Sequence, residues 1–305
     1  MSVDVTSVYL DAGAGFIDEF TGTYVSIPPA LPAPVLTGVV GQPGGNGPIE
    51  VQGTSEVTDP TGDTITLSSP GISIAGGGAV DSNGDFDATT FNLADGIYPI
   101  TATESQGSLT STPSAPLLVA VGATAQIELY YEQVLQRTGS SAEVNAWMTA
   151  ETSGQLTFSQ ILSDFVNSPE AVQFVDPIIR LYEAALGRIP DQAGLQGWEN
   201  ALASGAITEA QIAQAIVNSS EFLADHGGTN QVTAAFVAGL YETVLGRPGS
   251  AAEINSWVNS GQTAAQILAG FSDSPEFIHD TQAQIVGLLT SAGQGLGVFD
   301  GRSLG

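Results

Sequence analysis

No cysteine and no lysine occur in these 305 residues. Without cysteine there are no disulfides, no thiolate metal ligands and no thiol nucleophile. Without lysine there is no Walker A phosphate loop and no Schiff-base amine. The basic residues are five arginines, set against 32 aspartates and glutamates, for a net charge of −27. A surface of that sign repels nucleic acid, whose binding rests on neutralising phosphates, and it disfavours anionic lipid. The longest apolar stretch, around Ala115 to Val121, is far short of the ~20 residues that cross a bilayer, so no transmembrane segment is expected. The opening Met1–Leu10 has neither a cationic region nor a long apolar run, so no cleaved N-terminal export signal is expected. What so many carboxylates do favour is a hard divalent cation, calcium above all.

Histidine is also scarce. His226 and His279 lie near the ends of matching predicted helices and read as helix-end or surface residues. There is no HExxH, no nucleophile elbow and no GxGxxG between a strand and a helix. No enzyme, no catalytic residue and no organic cofactor is therefore expected. Carboxylate pairs leave glycoside hydrolysis as the enzymatic alternative, but no aromatic-lined acidic cleft is readable.

Up to about Ala123 the chain is rich in Gly, Pro, Thr, Ser and Val. Short alternating segments, Ile49–Val51, Asp63–Leu67, Ile72–Ala75, Phe86–Phe91, Ile97–Thr103 and Leu117–Val121, predict strands. Asn83-Gly84 and Asp95-Gly96 are hairpin signals, because both residues tolerate positive φ. The spacing predicts an immunoglobulin-like β-sandwich over residues 35–122. Ahead of it lies an arm and Pro-rich linker, residues 1–34, with possible strands at Val3–Leu10 and Thr23–Ile27. The arm either packs on its own domain or is lent to the sheet edge of a neighbouring copy; Val3, Val5, Val8, Tyr9 and Leu10 would carry that assembly. Asp81, Asn83, Asp85 and Asp87 place oxygens at alternate positions, as at the start of a calcium loop, but without the distal Glu of an EF-hand. Asp59 and Asp63 flank a similar turn. Each set reads as a plain turn or as a calcium site.

From about Thr124 the composition shifts to Ala, Gln, Glu, Leu and Ile. All three tryptophans sit sixteen residues after a tyrosine, and an arginine follows each tyrosine by six: Tyr131, Arg137, Trp147; Tyr182, Arg188, Trp198; Tyr241, Arg247, Trp257. Such self-similarity predicts a helical repeat domain, residues 123–290, with units at 127–176, 178–227 and 236–281. Gly187 and Gly246 suit the left-handed position that ends a helix. Gln136 stands there in the first unit, so its turn is expected to differ. Ser168-Pro169-Glu170, Ser219-Ser220-Glu221 and Ser274-Pro275-Glu276 start a fourth helix in each unit, by N-cap and dipole preference. Four residues are missing between the second and third helices of the last unit, which predicts a shorter loop. Glu221 can pair with Arg188 and Glu276 with Arg247, and the whole frame reads as an internal strut before it reads as a ligand site. Residues 291–305 form a Gly-rich tail.

Two resemblances add to this. Ala79–Phe86, Leu93–Ala102 and Ser114–Val119 resemble bacterial immunoglobulin-like adhesin domains. Leu181–Trp198 with Asn218–Phe222, and the frame of the third unit, resemble the domain of unknown function 4214 family. That second likeness implies a secreted or cell-surface bacterial setting, often associated with calcium, and no known catalytic residues. The family's nonapeptide calcium repeats are missing from this chain. The setting makes the tail a candidate export signal for one-step type I secretion. The chain is thus expected to be an extracellular structural protein, assembling with itself into a surface layer, filament or biofilm matrix through strand exchange and calcium bridging. The alternative is a secreted adhesin or binding module for glycan or a surface protein.

Overall fold

A computed structural model of the chain describes residues 16–18, 23–25, 30–40, 48–60, 62–90 and 92–304. Strands come first and helices second, as the composition shift predicts. The expected strand Val3–Leu10, and with it Val3, Val5, Val8, Tyr9 and Leu10, lies outside the described residues. Two compact units divide the chain: one of residues 1–39, 49–91 and 101–115, the other of residues 40–48, 92–100 and 116–305.

A short hairpin, β1 (Phe16–Asp18) with β2 (Thr23–Val25), precedes the main sheet. That sheet is antiparallel and curled. Its strands are β3 (Val35–Val40), β4 (Glu50–Thr54), β5 (Thr64–Ser69), β6 (Ile72–Ala79), β7 (Asp85–Thr89), β8 (Gly96–Gln106), β9 (Leu109–Thr110) and β10 (Leu117–Val121). They are ordered β10–β8–β5–β6–β7–β4–β3, with β9 on β8. In the first unit β5 and β7 bury every second residue, Ile65 and Leu67 on one, Phe86 and Ala88 on the other. That is the period of two of a strand with one face in a core. Gly76 and Gly78 let β6 approach β7, since a Cβ on either would meet the carbonyl of Thr89 or Asp87. The Asn83-Gly84 turn forms as predicted: Gly84 has φ 88° and the Asp81 N–H reaches the Asp85 carbonyl at 2.9 Å.

In the second unit the first half of β8 pairs with β10, from Gly96↔Val121 to Ile100↔Leu117. The helical units follow. Their first helices are α1 (Ala123–Gln133), α4 (Asp176–Leu186) and α8 (Ala234–Thr243). The tryptophan helices are α2 (Ser141–Thr152), α5 (Gln192–Ala203) and α9 (Ala251–Val258). The apolar third helices are α3 (Phe158–Val166), α6 (Glu209–Val217) and α10 (Ala264–Ser272). Two more are α7 (Ser220–Asp225) and α11 (Pro275–Gly293). Every third helix starts with the same capping box, Thr157 with Gln160, Thr208 with Gln211 and Thr263 with Gln266, which satisfies two N–H groups otherwise left open at a helix start. Phe165, Phe222 and Phe271 are among the largest fully buried side chains, each contributing about 1.5–3 kcal/mol by burial.

Three features differ from the sequence expectation. The four residues missing from the last unit do not shorten a loop. Residues 153–157, 204–208 and 259–263 are equally long connections, while α9 has 8 residues where α2 and α5 have 12. One helical turn is 3.6 residues, so removing four takes out about one turn and offsets the helix faces by only about 40°. Second, the fourth helix of unit one runs on into the first helix of unit two, whereas α7 and α8 stay separate helices. Pro169–Leu186 runs without a break through a π turn, Ala171–Val175, into α4. Third, α11 continues past the third unit as though opening a fourth, and it packs against α1, α3 and α4. The array therefore closes on its own beginning. Gly293 of α11 lies so near Val134 and Leu162 that a Cβ would collide with the leucine.

The tail is part of this closure. Val298 and Phe299 are buried in the helical core. The Ile189 N–H donates to the Arg302 carbonyl at 2.8 Å, the Leu118 N–H to the Gly295 carbonyl at 2.8 Å, and Leu117 bridges Leu296. Among the described residues no helix is long and apolar enough to cross a membrane.

Candidate functional site

Each helical unit builds one polar cluster from the repeated residues. The tryptophan indole N–H donates to the tyrosine hydroxyl: Trp147 to Tyr131 at 3.1 Å, Trp198 to Tyr182 at 3.0 Å, Trp257 to Tyr241 at 3.2 Å. The arginine lies over that same ring, with Arg137, Arg188 and Arg247 at 4.8, 5.3 and 5.0 Å from the centroids. The ring quadrupole attracts such a cation. A carboxylate at the start of the fourth helix then takes the guanidinium in two bonds. Arg188 meets Glu221 at 2.6 and 2.8 Å, Arg247 meets Glu276 at 2.8 and 3.1 Å, and Arg137 meets Glu170 likewise. The planar fork matches a carboxylate, which makes these the stronger kind of ion pair. Both pairings predicted from the sequence are present.

The second helix adds a further carboxylate in two units only. Glu143 closes a capping box with Ser140 and also accepts from Arg137 at 2.9 Å; Glu253 does the same with Ser250 and Arg247, at 3.3 Å. Unit two has Gly194 at that place and Asp191 as its cap. Arg137, then the Ser140 cap, holds Glu143 down to about 2. Glu221 and Glu276 are held below the usual carboxylate range by Arg188 and Arg247. Each guanidinium is thus matched inside its own unit, and the cluster ties three helices together.

The turn of unit one does not differ as expected. Gln136 has φ 58°, against 61° at Gly187 and Gly246. Its fully buried side chain accepts from the Gln192 amide at 2.6 Å and donates to the Gln133 carbonyl at 2.7 Å. These bonds hold a left-handed conformation that an L side chain otherwise adopts at a cost of roughly 1–2 kcal/mol.

The calcium candidates fall in two places. Asp81 caps its own turn, its Oδ1 accepting from the N–H of Asn83 at 2.8 Å and of Asp85 at 3.0 Å. Asp87 accepts from Gln52 at 2.9 Å. Asp63 is buried beside Glu104, with Gln106 donating at 3.1 Å to its carboxylate and at 3.1 Å to the Asp59 carbonyl. Ser55 donates to Glu104, whose carboxyl is raised by burial first and by Asp63 beyond that. Among the described residues no three His, Cys, Asp or Glu side chains converge as a metal cage. His226 stacks on Phe222 at 3.9 Å and its Nδ1 lies 2.9 Å from the Phe222 carbonyl, at the C-terminal end of α7. His279 lies within α11.

Sequence reading missed a buried polar set in the helices. Arg180 of α4 is buried and meets Asp273 at 3.3 Å. Burial first, and Asp273 beyond that, push Glu209 above the usual carboxylate range. Burial pushes Asp176 up to about 6, against the Gln282 bond. Glu199, buried one residue after Trp198, was legible in principle: Met148 and Val258 stand at its place in the sister units. Aligning the units, rather than matching motifs, exposes it.

Residues 173–226 and 223–281 match a domain of unknown function, DUF4214. These DUF4214 matches cover units two and three, from the π turn to Thr281. Unit one, with Gln136 and with Ala171 where Phe222 and Phe277 stand, departs most from the DUF4214 pattern read in the sequence. No curated protein matches the chain.

Proposed function

We propose that this chain is an extracellular structural protein that assembles with copies of itself into a surface layer, filament or matrix. Among the described residues the sheet ends at β3, and that end carries the reading. Val35, Val39 and Val40 are 45%, 39% and 45% exposed on this last strand of the order. β10, by contrast, is covered by the protein's own tail. An end strand with exposed valines invites another strand, and β-augmentation by the Val3–Leu10 arm of a second copy supplies one. Calcium fits as the joint between acidic surfaces of neighbouring copies, at a net charge of −27, without requiring a cage within one chain. One-step export through a C-terminal signal would have to precede folding, because Val298 and Phe299 are core residues once folded.

Electron microscopy and light scattering of the full chain, with calcium and with chelator, test the assembly. Ordered fibres or sheets are expected, lost in Val39→Lys, which places a charge on the edge. A chain that stays monomeric under both conditions and binds a glycan array is the adhesin instead.

A further inference from the structure

The buried carboxylate of Glu199 has no counterpart in the other helical units. Glu199 is 1% exposed, and neither of its oxygens finds a hydrogen-bond partner in the protein. In the sister units the residue after the tryptophan is Met148 or Val258, and both pack against the apolar core. A carboxylate therefore stands in a slot built for an apolar side chain. α5, which carries it, packs on the π turn and on α4. The charged groups acting on it are Glu170, just before the π turn, and Arg137. Arg137 is already shared between Glu170 and Glu143, so it is not free to neutralise a third carboxylate. The charged side chains of α4 are engaged elsewhere, Asp176 with Gln282, Arg180 with Asp273 and Glu183 with the Leu304 N–H. An ionised group in such a place keeps the full cost of desolvation, whereas the neutral acid does not.

We propose that Glu199 makes the junction between α5 and the π turn pH-sensitive: as the neutral acid it fills the apolar slot and seats α5, and on losing its proton to solvent it leaves the slot and loosens α5. Burial pushes its carboxyl up to about 7, with Glu170 adding to the rise and Arg137 opposing it. The change thus falls near neutral pH. Folding retains the proton, so the contribution is complete below the ordinary value of 4.5 and is lost as pH rises through about 7.

Urea unfolding of the full chain, followed by tryptophan fluorescence, reads the helical units alone, because Trp147, Trp198 and Trp257 all lie there. Between about pH 5 and about pH 8 the folded-to-unfolded ratio of the wild type is expected to fall on the order of 100-fold more than that of Glu199→Gln. Amide exchange in residues 171–175 and 192–203, corrected for intrinsic rate, should quicken over the same range in the wild type and stay level in Glu199→Gln. Glu199→Met, the residue of unit one, serves if the glutamine variant does not fold. Identical pH profiles in wild type and variant overturn the proposal. So does protection of α5 that is constant with pH in the wild type, a result that needs no variant.

Discussion

The side-chain amide of Gln192 donates to Oε1 of Gln136 at 2.6 Å, and it does so across the junction of two helical units. That bond lets a glutamine stand where the sister units require glycine. Gln196 also reaches the Gln136 carbonyl, at 3.4 Å. Gln192→Ala leaves a buried acceptor unpaired and is expected to cost about 1–3 kcal/mol. In a Gln136→Gly background the same change should cost clearly less, because strain and acceptor are gone together. Urea unfolding in a double-mutant cycle measures the difference; additive effects would show that the two residues are not coupled.

Unit two lacks the carboxylate that Glu143 and Glu253 supply. Gly194→Glu restores a capping partner and a second acceptor for Arg188, and it removes a helical glycine. A gain of about 0.5–1 kcal/mol is expected. The new Cβ would sit 3.3 Å from Oδ1 of Asp191, so the cap must shift slightly. A loss of stability in thermal or urea unfolding would mean that it cannot.

Asp176 is 1% exposed, and its carboxyl is raised from 3.8 to about 6 by burial. The folded chain therefore holds the proton more firmly than the unfolded one. This contribution is complete below about pH 3.8 and disappears as pH rises through about 6. Asp176→Asn should destabilise less at about pH 8 than at about pH 5, by about 1.4 kcal/mol. Glu143 works the other way. Its carboxyl is held down to about 2, so its contribution is present above the ordinary 4.5 and is lost as pH falls through about 2. Unfolding free energies across the pH range, for each variant, check both directions.

Phe299 belongs to the helical core and its carbonyl accepts from the Gln192 N–H at 3.2 Å. Phe299→Ala is expected to cost about 3–5 kcal/mol, as for a large side chain removed from a core. A chain that unfolds at the same urea concentration without it would show the tail to be dispensable packing.

Local pattern carried the reading far. The order of strands and helices, the Asn83-Gly84 turn and the three Tyr–Arg–Trp clusters follow from spacing and turn chemistry. Each depends on neighbours a few turns away, so periodicity encodes it directly. The Arg188–Glu221 and Arg247–Glu276 pairs were legible for the same reason, since they join helices within one short unit. Gln136 was not, because its left-handed conformation rests on Gln192, whose approach no local pattern announces.

By itself the sequence determined an acidic, cysteine-free and lysine-free chain, its β-then-α order, and a helical frame written three times. The tertiary structure alone decided that the missing residues came out of a helix, that α11 and the tail close the array on its first unit, and that Glu199, Asp176 and Asp63 are buried. Burial and closure depend on which distant surface covers a residue, and a carboxylate has the same letter whether water or a packed helix lies against it.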